Sequence, residues 1–283
     1  MPVDTALGEY LRARRALVRP EDVGVVVTGV RRTPGLRREE VATLAGISAD
    51  YYLRLEQGRD RNPSTQVLDA LARVLRLDAS AVDYLHGLAA GAPSRPRPTR
   101  DAVPTGTAQL LAALDLPAFV ESRRFDVLAA NPLATALSPS IVAGANRLRS
   151  VLLDPAERAL LPDWEWAVGG MIASFRTSVG PARPDPGTAR LIDELSAGSE
   201  VFRAHWSRHD VQPLEGGGFT MEHPVVGRLD LRREKLGVGG TDGQVLVIYH
   251  SDPGTRTAER LALLGSLAVR DQMPAALKSS PST

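Results

Sequence analysis

Cysteine is absent from the 283 residues, which excludes disulfides and thiolate metal sites and points to a reduced, cytoplasmic setting. Long hydrophobic runs are also missing. The most apolar stretch, around Leu261 to Val269, is well short of the ~20 residues a membrane helix needs. No charged-then-apolar signal segment opens the chain, so no membrane partner is expected. Lysine does not occur in residues 1 to 100, where 16 arginines face 12 acidic residues; that part carries +4 and the remainder −3. A guanidinium fork suits bidentate phosphate or guanine contacts better than an ammonium does, although arginine also fills the C-terminal half. Position therefore has to decide its meaning. Aromatic residues make up only 5% of the chain, so their placement is informative. What remains, 43% hydrophobic and 24% charged, is the composition of a folding chain.

The length favours two domains. Gly91 to Pro104, GAPSRPRPTRDAVP, is read as a linker because proline and polar residues replace any apolar period. Residues 1–90 before it repeat apolar positions at three and four: Leu7, Tyr10, Leu11, Leu17; Leu36, Val41, Leu44; Val67, Leu68, Leu71, Leu75; Val82, Leu85, Leu88. That spacing predicts an all-α module. Beyond the linker, 105–275 reads as two strands (118–122, 125–130), a helical middle, three strands (218–223, 226–232, 244–250) and a last helix over about 256–270. Such an order predicts an α+β domain with an antiparallel sheet and helices segregated to one face.

Within the first module, Leu36 to Ala45 reads as a helix stopped by Gly46, which tolerates the left-handed turn conformation. Ser48 then caps a second helix, and Asp50 adds negative charge at its positive end. Ala42 permits close approach, while Val41, Leu44, Ile47, Tyr52 and Leu55 offer the apolar faces that fix the angle. A pair of this kind delivers its second helix, 48–57, to a DNA major groove.

Ala42-x-x-Ala45-Gly46-Ile47-Ser48, Leu55-Glu56-Gln57-Gly58 and Asn62-Pro63-Ser64 resemble the phage-repressor-type helix-turn-helix of the XRE family, a lambda-repressor-like fold. Arg31-Arg32-x-Pro34-Gly35-Leu36-Arg37-Arg38-Glu39-Glu40-Val41, with Asp50-Tyr51-Tyr52 and Leu55 to Arg59, is more narrowly similar to the MmyB-like regulators of actinobacteria. That similarity extends through Ala129-Ala130-Asn131-Pro132, Phe202-x-x-x-Trp206, His209-Asp210-Val211 and His223-Pro224-Val225-Val226-Gly227. The resemblance implies a transcription regulator of double-stranded DNA with a PAS-like, ligand-sensing C-terminal domain. It places Ala49, Asp50, Tyr51 and Arg54 at base-reading positions. Arg54 can fork onto guanine, Asp50 can accept from cytosine N4, and Tyr51 can meet a thymine methyl or a phosphate. Arg37 and Arg38 can bind backbone phosphate at a helix start, with Arg59, Arg61 and Asn62 alongside. Whether Arg31 and Arg32 reach DNA is open. Two-fold operators call for two such units, so a homodimer is expected.

In the C-terminal part no GxSxG, GxxxxGK, GxGxxG or HExxH motif occurs, and no enzyme or cofactor is expected. The resemblance implies a small apolar ligand such as a fatty acid. Phe119, Trp164 and Trp206 are candidates to wall the pocket, and Asn131, Arg203 and His209 to anchor a polar end. Two alternatives stand beside this. His205 and His209, four apart with Asp210 adjacent, could form a metal or catalytic site, or the aromatic cluster could dock a protein.

Overall fold

The computed structural model describes residues 6–27, 31, 33–60, 62–90, 102–181, 184–213 and 216–272. Most of the expected linker, 91–101, lies outside them, as do Arg32 and Arg61. By packing, the chain forms two compact units: Met1–Pro96 with Ile172–Pro213, and Arg97–Met171 with Leu214–Thr283. The grouping thus takes 172–213 from the span read as the sensor and assigns it to the helical unit.

The first unit is all helix: α1 (Ala6–Leu17), α2 (Arg38–Ala45), α3 (Ala49–Glu56), α4 (Thr65–Val74) and α5 (Ala79–Ala89). Ser48, Ser64 and Asp78 each accept a backbone N–H from the first turn of the helix they begin, the interaction that makes short polar side chains good caps. Leu7, Tyr10, Leu11, Leu36, Val41, Tyr52, Leu55, Leu71 and Leu85 close one core. Two residues of the apolar period are misplaced by it: Leu17 and Leu44 stand 40% and 42% exposed. Ala42, not Leu44, occupies the buried inner face of α2.

Three further helices complete the two units' helical middle: from α10 (Trp164–Val179) the unit takes the residues from Ile172 onward, and with them α11 (Pro186–Gly198) and α12 (Glu200–Ser207). Phe202 stacks on Trp206 with ring centres 5.4 Å apart. The buried Arg176 guanidinium lies 3.7 Å above the Trp206 ring, and it donates to the Trp206 carbonyl and, at 3.2 Å, to His209 Nδ1. The His209 ring meets the edge of Tyr10 in α1, and Asp210 pairs with Arg14 of the same helix. The added segment is therefore tied to α1 by a ring contact and an ion pair.

The second unit holds a five-stranded antiparallel sheet of β1 (Ala118–Glu121), β2 (Val127–Ala130), β3 (Gly217–His223), β4 (Gly227–Gly237) and β5 (Val245–His250), in the order β2-β1-β5-β4-β3. One face carries Phe119, Val127, Met221, Leu229, Leu231, Val247 and Tyr249 and packs with α7 (Pro132–Leu137), Leu160 and α13 (Arg256–Gln272). The other face, with Ala118, Val120 and Leu246, meets Leu111 of α6 (Thr105–Ala113). Helices thus cover parts of both faces, where one was expected. Phe125, expected in β2, occupies the preceding turn at φ 64°, and its N–H donates to Ser122. β4 runs five residues past its expected end because Arg232 to Gly237 pair with β5; the sequence pattern stops short there because Arg233 and Lys235 break the apolar alternation that marks a half-buried strand.

His209 gives the first unit a pH dependence. Burial, then the nearby Arg176 and Arg14 charges, outweigh Asp210 and depress its pKa from 6.5 to about 4. As pH falls through that window the unfolded chain takes up the proton first, so stability is complete above pH 6.5 and drains towards pH 4. His209→Asn removes the titration and tolerates the residue's left-handed φ of 54°. Thermal unfolding at pH 7, 5.5 and 4.5 should show a shallower acid decline in the variant than in the wild type; parallel declines would refute the assignment.

Candidate nucleic-acid interface and ligand site

Gly46 takes φ 70° at the end of α2, and Ser48 Oγ accepts from Tyr51 N–H at 3.1 Å to start α3. Two short helices are thereby locked across a three-residue corner. Ser48, Ala49 and Asp50 are exposed and Tyr51 and Arg54 half-buried, so the early face of α3 is open. Arg37, Arg38, Arg59 and Asn62 are exposed too. All nine expected DNA-facing residues therefore reach the surface, as a face on α3 with flanks from the start of α2 and the segment after α3.

Arg54 pairs with Asp50 one turn earlier and lies over the Tyr51 ring at 5.6 Å. This pair is 44% and 72% exposed, and surface pairs of this spacing contribute only about 0.3–0.5 kcal/mol. A base contact worth roughly 1–3 kcal/mol outcompetes it. Arg31 differs. Its fork closes on Glu40 at 2.8 and 2.7 Å and reaches the Gly35 carbonyl at 3.0 Å, while Glu40 also accepts from the Arg37 N–H at 2.7 Å. Arg31 thus fastens the chain ahead of α2 to the helix start.

Beneath the open face sits Glu56, fully buried at the end of α3. It accepts from Arg15 Nε of α1 at 2.6 Å and from Arg38 Nε of α2 at 2.7 Å. Burial alone would raise its pKa, but the hydrogen bonds from Arg15 and Arg38 outweigh that and hold the carboxylate below its usual range. Gly8 brings α1 so close that a Cβ there would stand 2.3 Å from the Glu56 carbonyl oxygen. Sequence reasoning passed over Glu56 as part of a motif. A lone acid at the apolar end of a helix, with Arg15 and Arg38 available, was the signal for it.

The six residues expected at a ligand are divided between the units. Phe119, Asn131 and Trp164 belong to the second, Arg203, Trp206 and His209 to the first. Phe119 packs against Tyr249 at 5.9 Å. Asn131 caps α7: its carbonyl accepts from Ala118 and Ala134 N–H and its amide donates to the Leu114 and Leu116 carbonyls. Trp164 donates to the Val151 carbonyl under the Arg158 guanidinium. Exposed Arg203 donates to the Ser196 carbonyl at 2.6 Å. The expected alignment of His205 and His209 on one helix face does not form, because α12 ends at Ser207 and His209 turns left-handed beyond it. Asp210 is held by Arg14 and Arg208. Among the described residues no group of three His, Asp or Glu side chains is placed to hold a metal ion, and no described helix is long and apolar enough to cross a membrane.

In the second unit a groove of about 540 Å³ runs between Leu161, Trp166 and Ala167 on one side and Phe219 and Leu231 on the other, with Asp163, Asp230, Arg232 and Asp252 around it. Trp166, 72% exposed, forms part of its wall. Its size is that of a small-molecule site.

A glycine-cornered helix pair with an open second helix defines a helix-turn-helix DNA-binding protein, and residues 6–85 match a helix-turn-helix domain. Residues 103–264 match the MmyB-like transcription regulator ligand binding domain, and the chain belongs to that family of regulators. It is a DNA-binding transcription regulator with a ligand-binding domain. The comparison with curated proteins returned no match.

Removing the Glu56 charge tests the frame. Glu56→Ala leaves Arg15, only 12% exposed, without its acid and should cost about 3 kcal/mol or more, read as a drop in the denaturation midpoint. A change under about 0.5 kcal/mol, the size of a surface substitution, would show that the carboxylate does not hold the helices.

Proposed function

We propose that the chain is a sequence-specific, XRE-type regulator that lays α3 in the major groove and binds its operator as a homodimer, its second unit sensing a small apolar ligand of the fatty-acid kind. The observation that carries the DNA reading is the open early face of α3, where Ala49, Asp50, Tyr51 and Arg54 are accessible above a rigid base. Arg54 reads guanine, Asp50 restricts its swing and is itself an acceptor for cytosine, and Tyr51 and Ala49 set how closely bases approach. Arg37, Arg38, Arg59, Ser48 and Asn62 grip phosphates and fix the register. Arg38 is suited to this because Glu56 takes only its Nε, and the side chain remains 45% exposed. The groove lined by Trp166, Phe219 and Leu231 supports the ligand reading. A reduced cytoplasm suits a cysteine-free DNA-binding chain.

Gel-shift titrations against upstream genomic fragments are the direct test, and the absence of any specific complex at moderate salt would overturn it. Arg54→Ala should weaken the preferred site by about 1–3 kcal/mol and relax a single base position. Arg38→Ala should weaken all sequences alike and lower the salt slope by about one. If both variants lose the same affinity on every sequence, the division of roles is wrong.

A further inference from the structure

Glu40 puts a fixed negative charge at the start of α2, the place given above to a DNA phosphate. It is the third residue of the helix, and its Oε2 accepts the Arg37 N–H at 2.7 Å, so the acid is held at the positive end of α2. At 19% exposure it cannot turn into water as its exposed neighbour Glu39 can. The chain ahead of it is fixed too. The Leu36 N–H donates to the Arg15 carbonyl at 3.1 Å, Arg15 Nη1 donates to the Leu36 carbonyl at 2.8 Å, and a Cβ on Gly35 would stand 2.5 Å from the Ala16 carbonyl oxygen. Arg31 closes the arrangement. Its two Nη atoms hold both Glu40 oxygens, at 2.8 and 2.7 Å, and the Gly35 carbonyl at 3.0 Å, while its Nε is enclosed without a partner and the side chain is 13% exposed. The carboxylate is kept ionised: its pKa lies below the usual range, with the hydrogen bond from Arg31 as the main cause.

We infer that Arg31 is a positioning residue of the DNA interface, which neutralises Glu40 and so lets a backbone phosphate approach the first turn of α2 and the side chains of Arg37 and Arg38. Arg31 does not grip the phosphate itself, because both Nη atoms are engaged within the chain and Nε is enclosed. Without Arg31 the carboxylate would meet the phosphate as a like charge, and an acid tied to a backbone N–H has no route away from it. With the guanidinium bound in bidentate fashion the pair is neutral. The positive end of the helix and the exposed Arg37 and Arg38 then set the local field. The inference rests on the phosphate reading of Arg37 and Arg38 above and adds the residue on which that contact depends. Removing either partner breaks the same ion pair, yet the two losses leave opposite charges behind. DNA affinity should therefore move in opposite directions, which a loss of structural support alone does not produce.

Fluorescence anisotropy of the full-length protein on a labelled duplex of mixed sequence, at roughly 50 and 200 mM salt, tests it. Arg31→Gln should bind about three- to ten-fold more weakly than the wild type at the lower salt, and the deficit should shrink at the higher one as the repulsion is screened. Glu40→Gln, whose amide oxygen still accepts from the Arg37 N–H, should bind more tightly by a similar factor. The double variant, Arg31→Gln with Glu40→Gln, should return close to the wild type. Arg190→Gln removes an exposed cation of α11, makes the same change in net charge as Arg31→Gln, and should stay near the wild-type affinity. If thermal unfolding shows that Arg31→Gln is not folded at the assay temperature, Glu40→Gln and the double variant decide the matter. A Glu40→Gln protein that binds more weakly, an Arg31→Gln deficit that salt does not change, a double variant no better than Arg31→Gln, or an equal loss in Arg190→Gln overturns the role of Arg31 alone. Should Arg38→Ala leave the salt slope unchanged, the phosphate reading falls and this inference with it.

Discussion

One buried carboxylate holds the DNA-binding helices in register. Glu56 terminates α3, and its two oxygens are taken by arginines from α1 and α2, so three helices meet on a single charge. An ion pair in water would contribute little. Here the acid is fully buried, and loss of either arginine or of the acid leaves a desolvated group without its counterpart. The close pass of Gly8 over the end of α3 belongs to the same geometry. An open recognition face is useful only if the helix beneath it cannot roll, and this interaction prevents that.

Arginine has three distinct uses in the first unit, and burial separates them. Arg15 and Arg31 are nearly enclosed and bind acids of their own chain. Arg38 is shared, with one nitrogen committed inward and much of the side chain in water. Arg54 is held only by an exposed pair one helical turn away. The series runs from enclosed frame to open surface, and the strength of internal pairing falls along it.

Buried charge shapes the second unit differently. It buries Glu121 with Lys235 on the sheet and Glu157 with Arg147 on neighbouring helices, polar pairs in a place where apolar residues of similar volume would often be as stable. They frame Tyr249 and Arg233, a polar corner in an otherwise apolar face. The same corner is where β4 outruns its sequence pattern. In the first unit Arg176 and His209 play a comparable part, joining the segment 172–213 to α1 through Trp206, Tyr10 and Asp210.

Local chemistry determined a good deal from the sequence alone. Gly46, Ser48 and the period of Val41, Tyr52 and Leu55 define two helices and their corner, since caps and turns are interactions between near neighbours. The strands near 118, 218 and 245 were legible for the same reason, as alternation is a local property. Tertiary structure decided what depends on distant partners. Nothing near Leu44 in the chain says that it faces water, nor that Glu56 is met by Arg15 from 41 residues away. The split of the aromatic residues between two units, the early end of α12 before His209, and the inward turn of Arg233 belong to the same class. Each is set by burial against segments remote in sequence, and burial is a property of the assembled core, which no local pattern encodes.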